Sequence, residues 1–396
     1  HGRDRRQRQM CIRDSLLLYG PAFGYNPNPA KCKVVVHPNE VEAAELFFNT
    51  QRRWGFEICT GTRYLGGFIG TKKEQDLYVS EKVLEWVSTV KELSMVANQH
   101  FPHSAYTGLT KSLQHQWTFF QRVIPNIAHL FSPVESAIAE HFIPAIYGGK
   151  VSESVRTLSS LPVRYAGIAI TNPVTTNQPN YKASTLVCSH LIQAIQGKAE
   201  FYAMSHNGCL LSRFFSACIR KDAADEQHRL LLATLPNPRD RRAIERGCKT
   251  GSYLSAVPST INGSTLGEIE FQDSIRTRAA LPLLNLPSHC DGCGENFTIA
   301  HAHSCKNGGN IIARHDEIAS ELISLSTMAF KPNAVRAEPQ IHTGSSTAKA
   351  DSDSTVETSD RGDVLVRGLW STGQDAILDI RVTDTDQASY VTRDPE

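Results

Sequence analysis

The chain has 396 residues and a net charge of +1, and 40% of its residues are hydrophobic. This length predicts two or three domains, each able to bury an ordinary hydrophobic core. No run approaches the roughly 18 consecutive apolar residues of a membrane-spanning helix, so we expect no membrane partner. The near-neutral charge excludes a uniformly basic nucleic-acid binder, so a binding surface would have to come from local basic clusters.

The first fifteen residues differ in composition from the rest of the chain. They contain five arginines and two aspartates and show no apolar periodicity. Without them the chain has 36 basic and 38 acidic residues, which is a net charge of −2. We interpret residues 1–15 as a non-native segment that takes no part in the fold. The alternative is a basic arm that binds nucleic acid.

Residues 16–75 combine turns, strands and a short helix. A turn rich in proline and asparagine precedes the β-branched run Lys33–Val36, which predicts a turn followed by a strand. Residues 43–53 predict a short amphipathic helix. The glycines of Arg63–Gly70 predict a tight hairpin in which the backbone closely approaches a neighbour.

Residues 76–285 are predicted to be mainly helical, because apolar side chains recur there at the spacing of a helix. The aromatic residues in these stripes indicate a helical core rather than a stacking platform. The first stripe contains Val79, Val83, Trp86, Val87, Val90 and Leu93, and the second contains Leu109, Leu113, Trp117 and Phe120.

The clearest local basic cluster is the segment Pro236–Lys249. Its first arginine, Arg239, directly follows Pro238, and Arg241 and Arg242 come soon after. These arginines are candidates for contacts with nucleic-acid phosphates. A solvated helix face explains the same pattern about equally well.

The most specific pattern in the chain is a cysteine and histidine cluster. Cys290 and Cys293 are separated by two residues, His301 follows after seven more, and Cys305 follows after a further three. Thiolate and imidazole ligands at such spacings are typical of a tetrahedral Zn²⁺ site. Because all four positions are protein ligands, the predicted zinc ion would be structural. The competing hypothesis is that the cysteines are buried thiols and the histidines incidental.

The choice of His301 as the fourth ligand rests on spacing. His303 would leave one residue before Cys305, and His289 lies outside the cluster, so both remain alternatives. The other seven cysteines are scattered along the chain. Scattered, unpaired cysteines indicate reduced thiols, and we therefore expect a location in the nucleus or the cytoplasm.

The C-terminal residues predict a helix and two strands around a polar segment. Residues 311–330 predict one helix, which includes the triplet Arg314–Asp316 near its start. Residues 343–360 are acidic and of low complexity, which predicts disorder. Asp363–Val366 and Ala376–Thr383 predict two strands.

Taken in chain order, these segments resemble the C-terminal half of reverse transcriptases from non-LTR retrotransposons, in particular those with a restriction-enzyme-like endonuclease. Gly20–Cys32 resembles the palm segment that follows the catalytic carboxylates, and Arg63–Gly70 resembles the primer-grip turn. The cluster Cys290–Cys305 and the triplet Arg314–Asp316 are similar to the conserved tail of the family. The resemblance covers about residues 16–390.

For the polymerase, the resemblance implies a site that this chain does not contain. The family's Tyr-x-Asp-Asp hairpin lies upstream of Gly20, and the chain has no Asp-Asp pair, so we expect it not to polymerise by itself. Lys31 would neutralise triphosphate charge and Arg63 would contact nucleic acid. A solvated lysine at a strand edge is an equally good interpretation of Lys31.

For the endonuclease, the resemblance implies a Mg²⁺ site on the two C-terminal strands. Asp363 and Asp379 would bind the metal, Glu321 could add a third carboxylate, and Arg381 stands where the family has a lysine. Magnesium-bound hydroxide would attack the phosphodiester, and a cation would stabilise the developing charge. Arginine stays protonated and cannot act as a base, so a decayed domain is the alternative.

We therefore expect a multidomain α+β protein that binds DNA and the element's RNA and nicks target DNA for primed reverse transcription. The alternative is a non-catalytic, zinc-dependent nucleic-acid-binding remnant or a decayed element. The expected regions are a palm remnant at 16–75, a helical thumb at 76–150, a helical connection region at 151–285, a zinc-binding module at 286–309 and a partial restriction-endonuclease-like α/β core at 310–396.

Overall fold

The computed structural model describes most of the chain between residues 15 and 382. The chain folds into two compact units, His1–Leu281 and Pro282–Glu396. The expected non-native segment, except Ser15, and the expected disordered segment 343–360 lie outside the described residues. The described ranges are 15–26, 28, 31–51, 55–211, 213–307, 310–341 and 361–382, with only the backbone described for 209–220.

The first unit begins with two small sheets. Strands β1 (Lys33–Val35) and β2 (Glu57–Cys59) pair in parallel, and β3 (Gly61–Tyr64) and β4 (Gly67–Gly70) form an antiparallel hairpin. Between β1 and β2, the predicted helix is present as a short α-helix, α1 (Val41–Ala44), continued by a π-helical segment, Glu45–Gln51.

The β3–β4 hairpin has the tight turn that its glycines predict. Leu65 and Gly66 both adopt positive φ angles, of 46° and 82°, as a two-residue turn between right-twisted strands requires. A Cβ atom added at Gly70 would lie 2.2 Å from the Cα atom of Gly61. The close approach predicted for these glycines is therefore between the two strands themselves.

Helices make up most of the remainder of the first unit, as the apolar stripes predict. Proline occupies the first turn of several of them, where its missing N–H costs no hydrogen bond. The helices are α2 (Lys72–Asn98), α3 (Pro102–Gly108), α4 (Gln114–Val123), α5 (Ser132–Ala137), α6 (Ile143–Tyr147), α7 (Glu153–Ser160), α8 (Pro173–Val187), α9 (Ser189–Ile195), α10 (Ala203–Leu211), α11 (Arg213–Thr234), α12 (Pro238–Gly247) and α13 (Glu268–Arg278).

The core of the first unit is built around aromatic side chains. Trp86 on α2 stacks on Phe131 with the ring centroids 6.0 Å apart, and it meets Trp117 of α4 edge-on. The side chain of Trp117 is fully buried. Helix α4 packs against α8, where Gln121 donates a 2.7 Å hydrogen bond to the carbonyl of Pro173. The stripes predicted from the sequence therefore face one another.

The second unit is smaller, and its described residues contain two α-helices and one sheet. Helices α14 (Ile299–Ser304) and α15 (Asn310–Ala329) precede an antiparallel sheet with the strand order β5–β6–β7. Val364 and Val366 on β6 are buried, and α15 packs against β5 and β6. The strands are β5 (Val335–Ala337), β6 (Val364–Arg367) and β7 (Asp375–Leu378).

These elements confirm a mixed α+β protein that is mostly helical. The last strand is shorter than the sequence predicts, because β7 ends at Leu378 and not at Thr383. Within the described part of the chain, none of the helices combines the length and apolar character needed to cross a bilayer.

Candidate metal centre

The first half of the cysteine cluster lies on a short hairpin. His289 and Asn296 pair as an antiparallel bridge, and the amide of Cys290 donates a 2.8 Å hydrogen bond to the carbonyl of Glu295. The turn returns through Gly294, whose φ angle of +75° is one that favours glycine. This turn places Cys290 and Cys293 on the same side of the hairpin.

The second half of the cluster lies on α14 and on Cys305, which directly follows it. Thr298 caps this helix, because its hydroxyl accepts a 3.0 Å hydrogen bond from the amide of His301. Cys305 follows one helical turn after His301, and its amide donates to the His301 carbonyl at 2.8 Å. Residues four apart on a helix share a face, so both side chains point to the hairpin.

The four side chains converge on one point. All their ligand atoms lie within 4.8 Å of one another. The Sγ atom of Cys305 is 3.8 Å from that of Cys290 and 3.7 Å from that of Cys293. Four sulfurs at a Zn–S distance of about 2.3 Å would be ~3.8 Å apart at the corners of a tetrahedron. The Nε2 atom of His301 lies 3.1 Å from Cys293 Sγ and completes the group.

The electrostatics of the turn favour a thiolate at Cys290. Hydrogen bonds from the backbone of Gly292, the His301 side chain and the backbone of Cys293 lower the pKa of Cys290 to about 6. The thiolate is the form of cysteine that binds metal. The backbone of Glu295 acts to lower the pKa of Cys293, but burial and the neighbouring thiols outweigh it, so that this pKa is raised.

The donor set fits a structural metal ion. Three sulfurs and one imidazole nitrogen are the ligands that zinc prefers, and all four positions are filled by the protein. The cluster can therefore hold a metal such as zinc. Among the described residues, no other group of three or more His, Cys, Asp or Glu side chains converges closely enough to hold a metal ion.

The structure also separates His301 from the two alternative histidines. His289 is exposed, and its Nδ1 atom is 2.9 Å from the hydroxyl of Ser288. His303 is exposed on α14, outside the group formed by the three thiols. Its backbone carbonyl accepts a 3.3 Å hydrogen bond from Arg314 at the start of α15.

Asp363, the first predicted Mg²⁺ ligand, lies just before β6. One oxygen of its carboxylate is 3.0 Å from Nε2 of His315, and the other accepts a hydrogen bond from the amide of Ile380. Nδ1 of His315 is 3.1 Å from Asp316. The hydrogen bonds to Asp316 and Asp363 raise the pKa of His315. Sequence reasoning included His315 in a motif but did not assign it this contact.

Asp379, the second predicted ligand, lies just after β7. The register that pairs Val364 with Leu378 continues to Asp363 and Asp379, so both aspartates lie at the same end of the β6–β7 hairpin. Arg381 donates to the Asp379 carboxylate at 3.3 Å, and both side chains are exposed.

Glu321 lies apart from this end of the hairpin. It is exposed on α15, six residues after His315, which corresponds to roughly 120° around the helix and ~9 Å along it. Asp363 is already bonded to His315 and Ile380, and Asp379 is paired with Arg381. The described residues therefore give no support for a Mg²⁺ site.

The predicted nucleic-acid contacts occupy different environments in the first unit. Lys31 and Arg63 are exposed, and Arg63 lies on β3. Arg239 is exposed on α12, whereas Arg241 and Arg242 are half-buried. The guanidinium of Arg241 donates to the carbonyl of Leu235 at 2.8 Å, which gives it a structural role in holding the turn before α12.

No protein-family model matches the chain, and no curated protein matches it either.

Proposed function

We propose that the chain derives from the C-terminal half of a non-LTR retrotransposon reverse transcriptase, and that it binds nucleic acid through a zinc-stabilised module. The observation that carries this proposal is the convergence of Cys290, Cys293, His301 and Cys305. The resemblance of the flanking segments to that family supplies the context. DNA and the element's RNA are the proposed partners.

Zinc, when bound, would supply cross-linking rather than chemistry. The hairpin and α14 are short, and few apolar side chains in the unit are buried. A small module of this kind folds only when the metal replaces the missing hydrophobic core. The thiolates and His301 hold the ion, and the folded module presents its surface to nucleic acid.

The test measures first the zinc content of the chain and then its binding to nucleic acid. The full chain is expected to hold one zinc per molecule and to bind labelled RNA–DNA hybrid and duplex DNA, with an affinity that falls steeply as salt rises. Cys290→Ser with Cys305→Ser is expected to abolish both. The matched control is Cys32→Ser with Cys188→Ser, which changes two cysteines outside the cluster.

Three outcomes would contradict the proposal. One zinc retained by the Cys290→Ser/Cys305→Ser variant would place the metal elsewhere. Zinc binding without any retention of nucleic acid would leave a structural zinc site alone. Equal losses in the control variant would show that the effect is not specific to the cluster.

A second candidate function is nicking of target DNA, favoured by the position of Asp363 and Asp379 at one end of the β6–β7 hairpin. We propose it as an activity of the same protein. This activity would require Asp363 and Asp379 to exchange their present partners, His315 and Arg381, for a Mg²⁺ ion, which would supply the nucleophile.

Nicking of supercoiled plasmid in the presence of added Mg²⁺ tests this candidate. Activity is expected in the full chain and loss of activity in Asp363→Ala with Asp379→Ala. Asp375→Ala is the matched control, because Asp375 lies at the other end of the hairpin in an exposed pair with Arg367. Absence of nicking in the full chain, with nucleic-acid binding intact, would leave the binding function.

A further inference from the structure

The start of α15 is held mainly by polar contacts. Ile311 and Ile312 near its first turn are 40% and 67% exposed. Ser326, farther along the helix, is buried, and α15 packs against β5 and β6. The first turn therefore has no buried apolar side chain of its own to anchor it.

One of these polar contacts joins α15 to the metal centre. Arg314 donates a 3.3 Å hydrogen bond to the carbonyl of His303 on α14. His303 lies between two of the proposed ligands, His301 on α14 and Cys305 directly after it. Four residues separate Cys305 from Asn310, so the position of α14 also limits where α15 can begin.

The next residue joins α15 to the sheet. Nε2 of His315 is 3.0 Å from one oxygen of Asp363, and the other oxygen of Asp363 accepts the amide of Ile380. The same carboxylate thus links a helix to both strands of the hairpin end. Asp363 is 80% buried at its side chain, which makes the link stronger than an exposed one.

We propose that Arg314 and His315 are positioning residues that couple metal binding at the cysteine cluster to the placement of Asp363 at the end of the β6–β7 hairpin. The coupling runs from α14 through the His303 carbonyl to Arg314, and from the adjacent His315 to Asp363. It rests on the proposed zinc binding and does not require DNA nicking.

The coupling has a direct physical basis. Without metal, only weak contacts among the three thiols and His301 hold the hairpin and α14 together, and the constraint that orients the His303 carbonyl is weakened. Arg314 then loses its acceptor, and the first turns of α15 are free to move away from the sheet. Asp363 loses His315, and its hydrogen bond to the amide of Ile380 is left without support.

Hydrogen exchange of residues 361–382 measures this coupling in the full chain, with α2 of the first unit as an internal reference. In zinc-loaded protein, Arg314→Ala and His315→Gln are each expected to speed exchange of this segment by about fivefold or more, the lower end of typical couplings. Both variants should still hold one zinc. Lys306→Ala, which removes an exposed cation between Cys305 and α15, should exchange like the parent chain.

The double variant decides whether the two residues act in series. If they do, Arg314→Ala with His315→Gln exchanges no faster than the faster single variant, because either change already breaks the route. If the fold-changes in exchange rate of the two single variants instead multiply in the double variant, the two residues do not act in series. Unchanged exchange in the zinc-loaded single variants would overturn the proposal as a whole.

Chelation of zinc distinguishes failure of the coupling from failure of the proposed function. Chelation of zinc is expected to speed exchange of residues 361–382 in the parent chain and to have a smaller effect in Arg314→Ala. A chain that binds zinc but shows no such response would contradict the coupling alone. A chain that binds no zinc would contradict the proposed function as well.

Discussion

The two units of this protein differ in how much apolar surface each of them buries in its own interior. In the first unit, large apolar side chains such as Trp117, Phe131 and Phe271 are fully buried along several helices. In the second, the buried apolar residues within the described ranges are Val364, Val366, Ala376 and the two cluster cysteines Cys290 and Cys305. Burial of large apolar side chains therefore stabilises the first unit, whereas the second buries few of them and contains a cluster that can hold a metal ion.

A comparison of one helix from each unit, α15 and α2, shows the same difference in burial. Its exposed apolar side chains include Ile318, Leu325 and Met328, so much of its apolar surface contributes nothing to a core. A helix in the first unit, α2, buries Val79, Val83, Trp86 and Val90 in turn. We therefore expect removal of the metal to affect mainly the second unit and core substitutions to affect mainly the first.

Removal of the metal is expected to have the largest effect. Chelation of zinc should cost the second unit on the order of 10 kcal/mol, the energy that links metal binding to folding in small zinc modules. Limited proteolysis should then cut residues 282–341 while α2 stays protected. Equal protection of both units after chelation would show that the second unit has sufficient packing of its own.

A cavity in the aromatic core should destabilise only the first unit. Trp117→Ala is expected to lower its free energy of unfolding by about 3–5 kcal/mol, since the indole is fully buried. Thermal unfolding monitors the loss, and zinc content should not change. The control is Phe119→Ala on the same helix, which removes a 42% exposed ring and should cost less than about 1 kcal/mol.

A buried ion pair tests whether polar contacts also support the first unit. Arg156 donates two hydrogen bonds to the Glu135 carboxylate, at 2.9 and 2.7 Å, and the two side chains are 11% and 18% exposed. Glu135→Gln should cost about 3 kcal/mol, because it leaves a buried charge without its counter-ion. Denaturant unfolding measures this loss.

An exposed pair provides the matched comparison for that variant. Glu57 and Lys33 are 2.7 Å apart, but their side chains are 52% and 40% exposed. Glu57→Gln should cost less than about 1 kcal/mol, as expected for solvent-exposed pairs. Similar losses in the two variants would remove burial as the reason for the difference.

The smallest predicted effect is a pH dependence in the first unit. His103 is buried, its Nδ1 atom accepts the amide of Leu266 at 3.1 Å, and burial lowers its pKa. The folded pKa lies below the ordinary value of about 6.5, so the unfolded chain binds the proton more readily. Stability is therefore fully present above about pH 6.5 and is lost as pH falls towards the folded pKa.

His103→Asn tests this pH dependence, because an amide oxygen can accept the same hydrogen bond without titrating. Unfolding midpoints between pH 5 and pH 8 should show a shallower acid loss in the variant than in the parent chain. Burial lowers the pKa of His228 in the same direction, so part of the loss should remain. Identical slopes in the two proteins would assign the acid sensitivity to other groups.

Several features could be predicted from the sequence because they depend on local rules. The apolar periodicity that predicts α2 and the glycines that predict the β3–β4 turn both reflect conformations set within a few residues. The spacing of Cys290, Cys293, His301 and Cys305 belongs to the same class, since a short turn and one helical turn bring the four side chains together. The family resemblance and its nuclease remain predictions.

Other features were decided by tertiary structure. The end of β7 at Leu378 follows from the hydrogen bond between the Ile380 amide and the Asp363 carboxylate, which takes the backbone out of the ladder. The structural bond of Arg241 to Leu235 depends on how the chain turns before α12, which no charge pattern shows.

The helical character of the first unit and the ligands of the candidate metal centre can be predicted from the amino-acid order, because helix periodicity and short ligand spacings act over one or two turns of chain. That His315, and not Glu321, meets Asp363 follows from the packing of the folded unit. That contact joins residues 48 positions apart in the numbering, and its formation depends on how α15 packs on the sheet. Such packing is set by the whole unit and leaves no signal at the two residues themselves.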